Sequence, residues 1–138
     1  MKKLTLFVLI TAVVLLSSII TFLFLESRNI ILVKSIPMDV KVIDRPNFAG
    51  INVDPDGFHF GKIGPGGISE RELMIKNVSQ DVFVFITKKG EIAGWVSNPN
   101  FFRVKKGEEK DITFTIVVPM NSSVGLHTGE AVVVLRRI

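Results

Sequence analysis

Cysteine and tyrosine are both absent from the 138 residues of this sequence. The lack of cysteine excludes disulfides, thiol catalysis and cysteine-ligated zinc. Glycine and proline are missing from residues 1–36, although the whole chain holds 11 glycines and 6 prolines. All glycines and prolines therefore lie after residue 36, and the sequence divides near Pro37 into two unlike parts.

The charge divides at the same place. The chain carries a net charge of +4, and residues 1–36 contribute +3 of it through Lys2, Lys3, Arg28 and Lys34 against Glu26. The rest of the chain is nearly neutral. Nucleic-acid binding driven by net charge needs a basic excess on the folded surface, so no nucleic-acid partner is expected.

The first part contains a long apolar run. Residues 4–25 include no ionisable side chain. As a helix these 22 residues span about 33 Å, enough for a hydrocarbon core of about 30 Å. We predict a transmembrane helix at 4–25 in contact with membrane lipid. Lys2 and Lys3 favour a cytoplasmic N-terminus at residues 1–3, which places the rest of the chain outside the cytoplasm.

A cleaved signal peptide is the alternative interpretation of this run. The run exceeds the roughly 7–15 apolar residues of a signal peptide, and no small-x-small cleavage site follows it. We therefore expect an uncleaved anchor followed by a juxtamembrane stalk at residues 26–37. Within the stalk, residues 30–33 could extend the helix, lie at the membrane interface or begin a strand.

Residues 38–138 have the pattern of an all-β domain, because short apolar or alternating runs are separated by glycine, proline, asparagine and aspartate. The segment 70–76 also contains helix formers, but its alternation favours a strand. Residues 82–86 and 131–135 are continuously apolar, which is typical of central strands or of a face that meets another molecule. Strands are predicted at 40–43, 50–53, 58–62, 70–76, 82–88, 95–96, 101–104, 110–118 and 130–137.

This part of the chain resembles a known family of β-sandwiches. The matching segments are 60–66, 71–77, 94–97, 99–109, 112–119 and 124–134. Over residues 51–138 they resemble the immunoglobulin-like domains of prokaryotic cell-envelope proteins, of the NEW3 and FixG C-terminal type, which are similar to major-sperm-protein and Hydin domains. The resemblance implies an immunoglobulin-like antiparallel β-sandwich that binds or spaces other proteins. His127 stands where this family often has tyrosine.

Groups suited to catalysis or metal binding are few. His59 and His127 are the only histidines, and their spacing fits no metal motif. A calcium loop starting at Asp54 would need glutamate at the position of Pro65. The glycine-rich segment 61–67 lacks the Lys-Ser/Thr ending of a phosphate-binding loop. We therefore predict no catalytic residue, metal, cofactor or small-molecule substrate, and no enzymatic activity.

Two sets of residues are candidate sites. Trp95, Phe101 and Phe102 surround a turn, where they either close the core or contact a partner. Asn77 and Asn121 begin Asn-x-Ser sequons at predicted turns and are candidate N-glycosylation sites.

The pattern as a whole favours a single-pass, membrane-anchored envelope protein. Its outer domain would contact another envelope protein as an accessory or scaffolding subunit of a surface assembly. One alternative is self-assembly with its own copy, through edge pairing of residues 131–135 or 30–33. Another is an accessory subunit of a glycan-processing envelope enzyme.

Overall fold

The computed structural model describes residues 2–46, 56–76 and 79–138. Its first element is the helix α1 (Lys2–Arg28), of 27 residues. The part from Lys3 to Arg28 is long and apolar enough to cross a membrane, and an 18-residue window within it has a mean hydropathy of 2.8. The hydroxyls of Thr11 and Ser18 each donate to a carbonyl one turn earlier, at 2.9 and 2.8 Å. These bonds satisfy the polar groups inside the helix.

β-structure follows the helix. The described strands and a short 3-10 helix are β1 (Ile30–Val42), β2 (Phe58–Ile63), β3 (Ile68–Ile75), β4 (Val82–Gly90), the 3-10 helix Glu91–Gly94, β5 (Val96–Ser97), β6 (Phe101–Val104), β7 (Lys110–Val117) and β8 (Gly125–Arg137). The prediction of a β-rich chain with one N-terminal apolar helix is confirmed.

The described strands form two sheets, ordered β2-β1-β8-β4-β6 and β3-β7-β5, and the structure curls as a half-barrel. β2 runs parallel to β1, while the other described pairs are antiparallel. The prediction of an antiparallel arrangement is therefore wrong for this one pair. Fifteen residues, 43–57, separate β1 from β2, and a parallel pair needs a connection of about that length.

Most predicted strands are found close to their expected positions. Residues 70–76 are a strand, as their alternation indicated, and residues 30–33 begin β1. β1 and β8 are longer than predicted because they pair with each other from Ile30 to Val42. Residues 95–96 shift to Val96–Ser97, and the predicted strand at 50–53 lies outside the described residues.

The inner faces of both sheets contribute to one hydrophobic core. Phe58 of β2 and Phe114 of β7 meet across the two sheets, with ring centroids 4.3 Å apart. In β4, Val82, Val84 and Ile86 are buried, whereas the two phenylalanines between them are only half-buried. The continuous apolar run of β4 is therefore divided between the core and the outer face of the sheet.

Candidate functional site

An apolar row crosses the outer face of the five-stranded sheet. Val33 of β1 lies opposite Val134 of β8, which lies opposite Phe85 of β4, and Phe85 lies opposite Phe101 of β6. Side chains at paired positions share one face of a sheet. These four residues belong to the outer face, because their neighbours Val84 and Val133 are buried on the inner one.

Phe83 extends this row into an aromatic cluster, which we define as Phe83, Phe85 and Phe101. The ring of Phe101 lies 5.1 Å from that of Phe83 and 4.9 Å from that of Phe85, between centroids. Both pairs are tilted, at 30° and 42°, within the range that aromatic pairs favour. Phe101 remains 55% exposed to solvent. The cluster is therefore ordered by its own contacts and still open on one side.

Arginines border the aromatic cluster. The Cζ atom of Arg136 lies 5.9 Å from the centroid of the Phe85 ring, within reach of a cation–π contact. Arg103, which pairs opposite Phe83, also donates to the carboxylate of Asp81 at 2.5 Å. Apolar rings inside a rim of arginine are the composition typical of protein interfaces.

A shallow groove runs beside the cluster, lined by Phe85, Ile86, Thr87, Lys88, Ala93, Asn100 and Phe101. The ammonium of Lys88 donates to the carbonyl of Val96, and this bond joins β4 to β5 across the two sheets. Burial lowers the pKa of Lys88. The groove therefore places two polar groups, the bonded ammonium of Lys88 and the side-chain amide of Asn100, beside its apolar side chains.

The three aromatic residues predicted as a contact site lie in different places. Trp95 and Phe102 pack against the core, and only Phe101 points to the outer face. Phe101 and Phe102 must diverge because successive side chains in a strand point to opposite faces. Partner contact by these residues stays a prediction. Phe83 and Phe85 were not named as site residues, although the run 82–86 was expected in a central strand or in a face that meets another molecule, and its period of two could have placed both on one face.

His127 forms a polar corner between the two sheets. It is only 6% exposed, with Nδ1 at 2.6 Å from Glu91 Oε1 and Nε2 at 2.8 Å from the carbonyl of Ser123. Both partners are acceptors, so both ring nitrogens can donate at once only in the imidazolium form. Burial acts to lower the pKa of His127, but the bonds to Ser123 and Glu91 outweigh it and raise that pKa. The Trp95 ring lies 5.0 Å away between centroids.

His59 forms a second polar corner, at the edge strand β2. Its Nδ1 lies 2.5 Å from Asp39 Oδ2 and its Nε2 lies 2.8 Å from Asp56 Oδ1. The hydrogen bond to Asp56, opposed by burial and reinforced by Asp39, raises the pKa of His59. The same bond lowers the pKa of Asp56. The carbonyl of His59 accepts from Arg71 Nε at 2.9 Å, which links β2 to β3.

The two histidines bond to other parts of the fold and have no ring nitrogen left open to a substrate. Each imidazole uses both ring nitrogens on acceptors of the chain itself, so neither has a free lone pair for general-base chemistry. Within the described ranges, no group of three or more histidine, aspartate or glutamate side chains could hold a metal ion.

The two sequons stand differently. Asn121 is exposed in a turn between β7 and β8, where a glycan could be accommodated. Asn77 lies outside the described residues.

The candidate functional site is the aromatic cluster on the outer face of the larger sheet. No protein-family model, no curated protein and no solved structure matches this chain.

Proposed function

We propose that this chain is a single-pass membrane protein whose β-domain binds another protein at the cell surface through its aromatic cluster. The observation that carries the proposal is Phe101, which is 55% exposed while stacked between Phe83 and Phe85. An ordered aromatic side chain that keeps one face in water can anchor a partner, and such residues dominate the binding energy of interfaces.

The anchor is α1. Its apolar length matches the hydrocarbon core, and Lys2 and Lys3 at its start favour a cytoplasmic N-terminus. In this orientation the β-domain lies outside the cytoplasm, at the envelope surface. The exposed Asn121 would there be open to glycosylation.

The fold that we propose for the β-domain is an immunoglobulin-like sandwich. Two sheets share one core, and the contact between Phe58 and Phe114 joins their inner faces, as in a sandwich. The proposed activity is binding without turnover, because both imidazoles are occupied by acceptors of the fold.

Self-assembly by edge pairing is the alternative, and it needs an unpaired strand. Residues 131–135 offer none, because β8 pairs with β1 on one side and β4 on the other. β1 differs: β2 covers it only from Met38 onward, and no described strand pairs with residues 30–37 on the side opposite β8. Contact between copies is therefore one outcome that the experiments must separate from contact with another protein.

The test places a photoreactive benzoylphenylalanine at Phe101 of the full chain in intact cells. The matched control carries it at Met74, which is 48% exposed on the outer face of the smaller sheet. We expect a covalent adduct with a different protein from position 101, several-fold stronger than from position 74. Phe83→Ser in the same chain should weaken that adduct, since Phe83 stacks on Phe101.

Adducts only with lipid or with a second copy of the chain would overturn the proposed binding function.

A second experiment measures the orientation of the chain in the membrane. A cysteine at Met120, which is 72% exposed, should react with a membrane-impermeant maleimide in intact cells. A cysteine in a short tag placed before residue 1, which leaves Lys2 and Lys3 unchanged, should react only after permeabilisation. The reverse pattern would contradict the proposed topology.

A further inference from the structure

β1 begins well outside the core. Its first six residues, 30–35, are exposed, and burial starts only at Ile36. Four consecutive apolar side chains open this stretch: Ile30, Ile31, Leu32 and Val33, between 43% and 57% exposed. We name residues 30–33 the apolar foot. Because successive residues of a strand point to opposite sides, the foot is uncovered on both faces of the sheet.

The foot is fixed to the end of the helix. Only Asn29 separates α1 from β1, and its carbonyl accepts from the backbone N–H of Arg137 at 2.7 Å. The Arg136 guanidinium donates to the carboxylate of Glu26 in the last turn of α1. The end of β8 therefore joins the same place, and the foot has no flexible linker that could carry it away from the helix.

Cations surround the foot. Arg28 ends the helix, Lys34 follows the foot, and Arg136 and Arg137 end β8 beside it. Glu26 is the nearby acid, and it is paired with Arg136. Exposed aliphatic side chains with arginine and lysine at their border match the membrane interface, where the stems lie among acyl chains and the charges reach phosphates.

We infer that the apolar foot lies in the headgroup layer of the membrane, with anionic lipid phosphates held by Arg28, Lys34 and Arg137. This inference rests on the proposed anchor. The foot starts two residues after α1 ends, and a strand advances about 3.3 Å per residue. Residues 26–29 advance roughly 6 Å beyond the apolar run at about 1.5 Å per residue, and each headgroup layer is about 5–8 Å thick, so the foot begins within reach of this layer.

This placement accounts for an otherwise costly feature. The foot leaves apolar area in water on both faces of the sheet, which the fold does not cover. A bilayer interface covers both faces at once. The β-domain would then stand on the membrane with its orientation fixed, and the aromatic cluster would be presented at a fixed angle.

The experiment uses single spin labels, which the cysteine-free sequence permits. Labels are placed at Ile31, at Met74 on the smaller sheet, and at Ile19 within α1, in the full chain reconstituted in nanodiscs. The readout is accessibility to oxygen relative to a water-soluble nickel chelate. We expect the ratio at Ile31 to be several-fold above that at Met74 and below that at Ile19. Val33 gives a second reading if the label at Ile31 disturbs the fold.

Lipid charge supplies the second part of the test. Adding about a third phosphatidylglycerol to phosphatidylcholine should raise the ratio at Ile31, because phosphates attract the surrounding cations. Arg137→Gln should reduce this rise, whereas the charge-matched control Lys62→Gln, which lies opposite Lys41 near the end of β1 away from the foot, should leave it unchanged.

The outcomes separate the two proposals. If Ile19 is shielded while Ile31 behaves like Met74, the foot lies in water and the inference is wrong, although the anchor stands. If Ile19 is itself open to the nickel chelate, both the anchor and the inference fail. Strong dipolar coupling between labels at Ile31 would show pairing of two copies along β1 and would also overturn the inference.

Discussion

The outer faces of the two sheets differ although one core supports both. On the smaller sheet, Glu70 lies opposite Thr115 and Glu72 lies opposite Thr113, so the centre of the face is polar. On the larger sheet the corresponding centre is Val134 beside Phe85 and Phe101. The centre of the outer face is thus polar on the smaller sheet and apolar on the larger one, while Ile68, Met74 and Val117 are exposed towards the ends of the smaller sheet.

The difference shows that the aromatic cluster is not required by β-structure as such. The smaller sheet accommodates hydroxyl and carboxylate side chains at its outer positions. The Thr115 hydroxyl even donates to the Glu70 carboxylate at 3.2 Å. An apolar outer face that the fold does not require is the kind of patch that marks interaction sites in soluble domains. This reasoning supports a docked partner on the larger sheet.

The largest expected effect tests whether the two faces belong to one cooperative unit. Phe114→Ala should lower the free energy of unfolding by about 3–5 kcal/mol, because a fully buried ring in contact with Phe58 is replaced by a cavity. Denaturant unfolding of the full chain in detergent micelles measures this, followed by Trp95 fluorescence. Separate transitions in fluorescence and circular dichroism would mean that the two sheets unfold independently.

A smaller effect is expected at the corner between the sheets. His127→Ala should cost about 1–3 kcal/mol, because it leaves the Ser123 carbonyl without its donor. Glu91→Gln is the matched variant. It keeps the shape of the contact and weakens only its charge, so it should cost less than His127→Ala. Equal losses in the two variants would contradict the view that the buried ring, more than the ion pair, joins the sheets.

The pH dependence of stability tests the contribution of the two histidines. His59 and His127 both have pKa values raised in the folded state. Their stabilisation is therefore fully present below the unfolded value of about 6.5 and is lost as pH rises through the folded values. The melting temperature should fall with rising pH above about 6.5. His127→Gln should flatten part of this fall, and an unchanged profile would show that His127 is not charged in the native state.

The smallest effect is expected on the aromatic face itself. Phe101→Ser should lower the free energy of unfolding by about 1–2 kcal/mol, because its ring contacts with Phe83 and Phe85 are lost although more than half of the side chain is already in water. The same substitution should abolish partner contact if the cluster binds a protein. A loss of stability comparable to that of Phe114→Ala would show that Phe101 belongs to the core. The contrast between the outer faces of the two sheets would then be wrong.

Local patterns in the sequence were enough for the helix and for most strands. The apolar run 4–25 lies within α1, and the alternation around Phe114 placed the wet and dry sides of β7 correctly. Both signals depend only on neighbours in the chain. The pairing of strands depends instead on residues that are distant in the chain. β1 pairs with β8 at positions such as Ile36 and Ala131, which are 95 residues apart.

The candidate site was less predictable for the same reason. Phe101 reaches the outer face because β6 pairs with β4, which brings it to Phe83 and Phe85. Trp95 and Phe102 turn inward because the core lies on their side. His127 could be noted as a replacement for tyrosine, but its partner Glu91 lies 36 residues earlier. Each of these contacts depends on tertiary geometry that no local pattern contains.

The central position of β8 has a consequence for how the chain matures. β1 is synthesised directly after α1, yet its partner along twelve positions is the last described strand. Pairings so distant in sequence form slowly, since a long loop must close first. In the proposed topology, the edge of β1 that pairs with β8 therefore stays unpaired next to the membrane until the end of β8 has left the ribosome. An interface that sheltered β1 during that interval would protect the nascent chain from aggregation.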